Sequence, residues 1–182
     1  MASPLNMALY RPGGRLGLYV RAFQVFSATQ PTGVSVLDFG GGDVSVPVCF
    51  GDPVLVEDWD GCEVPSAAVV GPRRHATWLR FRGTLDQVNI SFLPGAAGLF
   101  VDAAMPELVG RMTSAGDMWP HDFREAVAEL EPLPVAQRIR GLAGLLLARL
   151  EPRRAPDPQV REAVRLIRAS RGRSRCAHWP AR

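Results

Sequence analysis

The sequence predicts an α+β fold: a β-barrel or sandwich over about residues 19–93, a helical segment over about 96–150, and one isolated helix beyond a linker. Three observations carry this. Gly and Pro interrupt the first half at short intervals and leave brief runs rich in Val, Phe, Leu and Trp, the texture of strands joined by turns. From Pro94 onward the residues favour helix, with apolar positions at helical rather than alternating spacing. Finally, Glu151–Pro158 reads EPRRAPDP, a proline-rich charged stretch that suits a linker better than an element. At 182 residues the chain has room for one core and a small appendage, and the expected division is residues 1–151, a linker at 152–157, and 158–182.

Leu18–Ala28 places Tyr19, Phe23 and Val25 among polar neighbours and is the first expected strand, although Leu16–Ala22 alternatively opens as a short helix. Val34–Phe39 is apolar, and Val44–Phe50 puts Val44, Val46, Val48 and Phe50 on one face. Val54–Glu57, Ala67–Gly71, Thr77–Phe81 and Gln87–Leu93 continue the series, separated by turn-type clusters such as Arg82–Asp86 (RGTLD). Helices are expected at Ala96–Ala103, Pro106–Met112, Pro120–Leu130 and Pro134–Leu150. In the last, Val135, Ile139, Leu142, Leu146 and Leu150 form an amphipathic stripe that either caps the strand domain or makes a dimer seam. Its interior Gly141 and Gly144 cost helix propensity and suggest close approach by a neighbour. Asp157 and Pro158 make a good N-cap and N1 pair and Gly172 a C′ residue, which predicts a helix over Pro158–Arg171.

Composition excludes several function classes. The longest unbroken apolar stretch, Gly141–Ala148, is far short of the roughly 18 to 20 residues that span a bilayer. The N-terminus lacks a basic segment followed by an apolar one, so the expected compartment is the cytoplasm. Cys49, Cys62 and Cys176 are odd in number, widely spaced and without a C-x-x-C pair, which argues against a disulfide framework or a thiolate metal site. All 21 basic residues are arginine. They are unevenly placed: residues 1–151 hold 12 Arg against 16 acids (12 − 16 = −4), and residues 152–182 hold 9 Arg against 2 acids (9 − 2 = +7). An acidic body with a basic end fits contact with an anion such as nucleic acid at that end. On the last helix Arg161, Arg165 and Arg168 recur at about one turn, a row of donors that suits phosphates; a solvated face explains them equally well.

Catalytic signals are missing. A cupin-like metalloenzyme would need His and carboxylate ligands converging on one end of a barrel, whereas His75, His121 and His178 are far apart and form no H-x-H pair. Gly40–Asp43 (GGGD) lacks the lysine and the strand-to-helix context of a phosphate loop and reads as a turn. No G-x-S-x-G is present. The expectation is a protein without catalysis, metal or cofactor. Aromatic and branched residues on the strands, Trp78, Phe81, Ile90 and Phe92, are candidates to line an effector pocket, with Asn89, Ser91 or Arg80 as orienting groups. Alternation sets Ile90 and Phe92 opposite Asn89 and Ser91, so only one set can face inward, and the apolar set is expected there because a small barrel fills its interior first.

The segment Asn89–Trp119 (NISFLPGAAGLFVDAAMPELVGRMTSAGDMW) resembles the sensing domain of one branch of AraC-type transcriptional regulators. The likeness lies in a strand ending Phe92-Leu93-Pro94-Gly95, a short helix, a Pro106-Glu107-Leu108 turn, and Asp117-Met118-Trp119. The strands upstream and the leucine-spaced Leu130–Leu150 helix follow the same layout, and Asp157–Arg173 is similar to the opening helix of that family's DNA-binding domain. The resemblance implies a cupin-like sensing and dimerisation domain that takes an unknown small-molecule effector, forms a possible homodimer, and works with DNA. Two features depart from the family. Leu37-Asp38-Phe39-Gly40 stands where an L-P-D-G turn is usual, and the chain ends nine residues after Arg173, before either helix-turn-helix unit would be complete. The implied protein is therefore a sensing region with a truncated DNA-binding domain, whose own DNA binding is weak and without sequence preference. A free-standing cupin-like binding protein or enzyme is the alternative.

Overall fold

A computed structural model describes residues 2–40, 42–57, 62–119, 122–150 and 158–170. The strands are β1 (Ser3–Tyr10), β2 (Val20–Asp38), β3 (Ser45–Cys49), β4 (Val54–Val56), β5 (Cys62–Glu63), β6 (Ala68–Val70), β7 (Thr77–Phe92) and β8 (Met112–Ser114). The helices are α1 (Ala115–Met118), α2 (Asp122–Leu130), α3 (Val135–Arg149) and α4 (Pro158–Ala169), with single 3₁₀ turns at Leu16–Leu18, Ala97–Leu99 and Met105–Leu108. The fold is α+β, and every strand pairing among the described residues is antiparallel.

The sheet runs β1-β2-β7-β3-β6-β8, with β4 and β5 joined to β7. Its two ends do not meet, so the sheet stays open where the sequence suggested a closed barrel or a two-sheet sandwich. Two expected pairs of strands have fused. Leu18–Ala28 and Val34–Phe39 are one strand, β2, while Thr77–Phe81 and Gln87–Leu93 are one strand, β7. The intervening Pro and Gly make a bulge instead of a chain reversal: Gln30 pairs with Gly83 and Val34 with Phe81, so residues 31–33 face Arg82 alone. Gly33 and Gly83 take φ of 84° and 90°, which a side chain would resist, and Arg82 Nε donates to the Pro31 carbonyl at 3.0 Å.

This bend curls the β2–β7 ribbon. Thr77 and Ser91 would lie roughly 46 Å apart along a straight strand. Their partners Asp38 and Ser45 are seven residues apart, a reach of at most roughly 25 Å, and adding a strand spacing at each end still falls short. The ribbon must therefore wrap, giving one concave and one convex face.

The convex face meets the helices. Phe23, Val25, Val46, Val48, Val88, Ile90 and Phe92 pack against Phe100, Trp119, Phe123, Leu142 and Leu146 in the larger core cluster. Ring centroids of Phe92 and Phe100 are 5.1 Å apart, and burial of each such side chain contributes about 1.5–3 kcal/mol. Leu142, Leu146 and Leu150 are buried in this core, so the stripe on α3 faces its own chain. Arg138 ties α3 to the sheet: it pairs with Asp86 at 2.6 Å, donates to the Glu131 carbonyl, and lies over the Phe50 ring.

Much of the segment that carries the family resemblance is used here. Gly95 (φ 76°) turns the chain after β7. Leu108 is fully buried, and its carbonyl sits so close to Gly71 that a Cβ there would lie 1.7 Å from it. Trp119 donates to the Phe100 carbonyl at 2.5 Å and meets Phe123 edge-on. Helix was expected over Ala96–Ala103 and Pro106–Met112, but each is a single 3₁₀ turn, and the chain after the second becomes β8. The linker at 152–157, the tail at 171–182 with its expected Gly172 cap, and His121 lie outside the described residues.

Candidate functional site

The concave face holds a cavity of about 460 Å³. Its composition follows from strand alternation. Opposite Val88, Ile90 and Phe92, the side chains of Gln87, Asn89 and Ser91 point into it from β7. Cross-strand register adds Gln24 and Phe26 from β2 and Ser45 and Pro47 from β3, each beside one of these. Much of the remaining wall is apolar, with Val36, Val54, Val56, Leu79, Phe81 and Leu85 lining it. The cavity thus joins a small polar floor to a largely apolar wall.

The polar floor is a small hydrogen-bonded group. Gln24 Oε1 accepts from Asn89 Nδ2 and from Ser91 Oγ, both at 3.0 Å. Asn89 Oδ1 is buried and has no partner, and an unfilled acceptor of this kind costs about 1–3 kcal/mol unless something donates to it.

Two ion pairs stand at the rim. Arg21 in β2 meets Asp43 at 2.5 Å, and Arg73 meets Asp38 at the end of β2. Asp38 also accepts from the Gly40 amide at 3.0 Å. Gly40 takes φ of 63° beneath the Arg73 guanidinium, where a Cβ would come within 3.2 Å of it. The link from β2 to β3, read from sequence as a plain turn, is therefore pinned at Asp38 and at Asp43. Such partly exposed pairs contribute less than about 1 kcal/mol each, so their effect is to position the rim and neutralise both arginines.

Of the four pocket residues chosen from sequence, Phe81 lines the cavity. Ile90 and Phe92 do not: both are fully buried on the convex side among the helices. The interior-first expectation fails because the outer face of this sheet is covered by helices and claims the apolar set. Trp78 is largely exposed, and Arg80 lies outside the cavity; Asn89 and Ser91 are the orienting candidates that line it. Arg21, Gln24, Asp38, Asp43 and Arg73 were not anticipated. The available signal was the strict alternation of Gln87–Phe92, since three polar side chains on a strand whose other face is core need a polar compartment of their own.

Arg165 is exposed and held by Glu162 through two bonds of 2.7 and 2.6 Å. That pairing lowers the Glu162 carboxyl below its ordinary range and raises the Arg165 guanidinium. The side chains of Arg161 and Arg168 lie outside the described residues. Among the described residues no three His, Cys, Asp or Glu side chains gather as metal ligands, and no helix is long and apolar enough to cross a membrane. Comparison with family models, curated proteins and solved structures finds no match to this chain.

Proposed function

We propose that this chain is a small-molecule sensing region of the kind that AraC-type regulators carry, binding an organic effector in the concave cavity and performing no catalysis. In this reading the curled antiparallel sheet is an open form of a cupin-like barrel, with DNA contact and possible dimerisation belonging to the output side of the molecule. One observation supports it above the rest. A cavity of about 460 Å³ falls in the size range of small-molecule sites and joins an apolar wall to a few convergent polar groups. A helical layer braces the opposite face of the same sheet, so occupancy of the cavity can be felt by the helices that follow it in the chain.

The reading is tested by screening neutral and charged organic compounds for thermal stabilisation and measuring hits by calorimetry. At a hundredfold excess over Kd a ligand stabilises by about 2.7 kcal/mol, a readily measured shift. Gln87→Trp, which puts an indole into the cavity, is expected to abolish that stabilisation while the protein stays folded. Hits that bind Gln87→Trp as well as the unaltered chain would move the site elsewhere and overturn the reading.

A further inference from the structure

The geometry points to a neutral carbonyl compound as the ligand class of this cavity: an apolar body carrying one ketone, ester, amide or lactone oxygen that accepts from the Gln24 side-chain amide. The inference rests on the sensing reading above and narrows it. It starts from the wiring of the polar floor. Asn89 Nδ2 and Ser91 Oγ both donate to Gln24 Oε1, which fills that oxygen's two lone pairs and leaves the amide nitrogen over. Gln24 is half-buried and lines the cavity; its Nε2 has no partner among the described residues and, unlike Asn89 Oδ1, is not closed off from solvent. Gln87 lies on the same face of β7, diagonal to Gln24 across the β2–β7 ladder. Its side chain makes no hydrogen bond among the described residues either, so its amide is a second open donor. Across Gln24, Gln87 and Asn89 the open groups are therefore two amide nitrogens against one oxygen, that of Gln87, while the Ser45 hydroxyl can serve either way. A ligand that engages this floor must bring an acceptor. The apolar wall of Val54, Val56, Leu79 and Phe81 asks for a hydrocarbon body behind it. Charge narrows the acceptor further. Arg21 and Arg73 are each paired with an aspartate that lines the same cavity, so its charges cancel (2 − 2 = 0), and an ionic ligand would have to break a pair or enter without a counter-charge.

Four compounds of similar shape separate the possibilities: 2-acetylnaphthalene, 2-isopropenylnaphthalene, which has a CH₂ in place of the ketone oxygen, 2-naphthoate and 2-naphthylmethylammonium, titrated at pH 7 by calorimetry. The ketone is expected to bind about three- to tenfold tighter than the alkene, the value of one net hydrogen bond, and tighter than either ion. Gln24→Glu keeps an oxygen for Asn89 and Ser91 to donate to and replaces the open amide nitrogen with a second oxygen, so it should erase the preference for ketone over alkene. The unaltered protein decides the ligand class even if that variant does not fold, because the order of the four affinities is read without it. Tightest binding by the naphthoate or the ammonium compound overturns the inference and leaves the cavity as a sensing site for a charged effector. Equal binding of ketone and alkene overturns the acceptor role of the ligand, and a preference that survives Gln24→Glu overturns the assignment to Gln24. Failure of all four to bind, with a hit from the wider screen that Gln87→Trp abolishes, overturns the inference alone; failure of both sets removes the sensing reading with it.

Discussion

Cys49 and Cys62 show how differently one residue type behaves at two places in this fold. Cys49 ends β3 on the side away from the helices and packs against the second core cluster of Val54, Val56, Phe81 and their neighbours. Burial pushes its thiol up from 9.0 to about 11. Cys62 lies exposed in β5. At pH 8 alkylation by iodoacetamide, mapped by peptide mass spectrometry, should therefore mark Cys62 at least about tenfold faster than Cys49, since only the thiolate attacks. The same shift sets a pH dependence. A thiol whose folded pKa lies above its unfolded value favours the folded state while it is protonated, so its contribution is complete below pH 9 and lost as the pH rises toward 11. Relative to Cys49→Ala, the unaltered protein should lose about 1 kcal/mol of stability per pH unit across that window, measured by urea unfolding. Equal labelling of the two thiols, or parallel pH curves for the two proteins, would contradict the burial of Cys49.

Among the elements, α3 was the most legible in the sequence and β2 and β7 the least. The stripe on α3 repeats over four turns, with Leu142 and Leu146 buried and Val135 and Ile139 partly buried against the same core, so periodicity and packing agree. Pro31, Gly33 and Gly83 mark both a turn and a bulge in the same residue language, and only the pairing partner tells them apart, which is why two strands read as four. β1 was not anticipated although Leu5, Met7 and Leu9 alternate along it, and in the fold it is exposed along nearly its whole length. The two α3 glycines were read alike as sites of close approach, and the fold separates them. A Cβ on Gly141 would sit 2.3 Å from a methyl of Leu130 at the end of α2, whereas one on Gly144 would meet nothing within 4 Å. Gly144→Ala should accordingly stabilise the protein by about 0.5–1 kcal/mol through helix propensity alone. Gly141→Ala gains the same propensity and must displace Leu130, so its net effect should be smaller than that of Gly144→Ala or destabilising. Thermal unfolding of the two variants checks this; a larger gain at 141 than at 144 would mean that α2 and α3 are not packed as described.

At the scale of the whole molecule, one sheet separates two environments, and β7 alternates between them over Gln87–Phe92. The sequence announced that separation through the alternation of Gln87–Phe92 but left open which face was interior, because a strand pattern cannot say whether its outer side meets water or a helical layer. Here the helical layer takes the apolar set and the cavity takes the polar one. Neighbouring residues should then differ in kind as well as in degree. Phe92→Ala removes a fully buried ring that stacks with Phe100 beneath the helices, and is expected to cost about 3–5 kcal/mol. Ile90→Val removes one methyl from the same layer and should cost about 0.5–1.5 kcal/mol. Ser91→Ala, placed between them, removes a hydroxyl that donates to Gln24 at the edge of a solvent-sized space, so its cost should stay near or below about 1 kcal/mol. Ligand affinity should show the reverse order. Ser91→Ala alters the cavity floor and is expected to change binding of any compound that occupies it, while Ile90→Val, with its side chain on the far side of the sheet, should leave affinity within about twofold. Urea unfolding and calorimetry on the same three variants test both orders together. If Ile90→Val changes affinity more than Ser91→Ala does, or Ser91→Ala destabilises more than Phe92→Ala, then β7 lies the other way over and the apolar face lines the cavity after all.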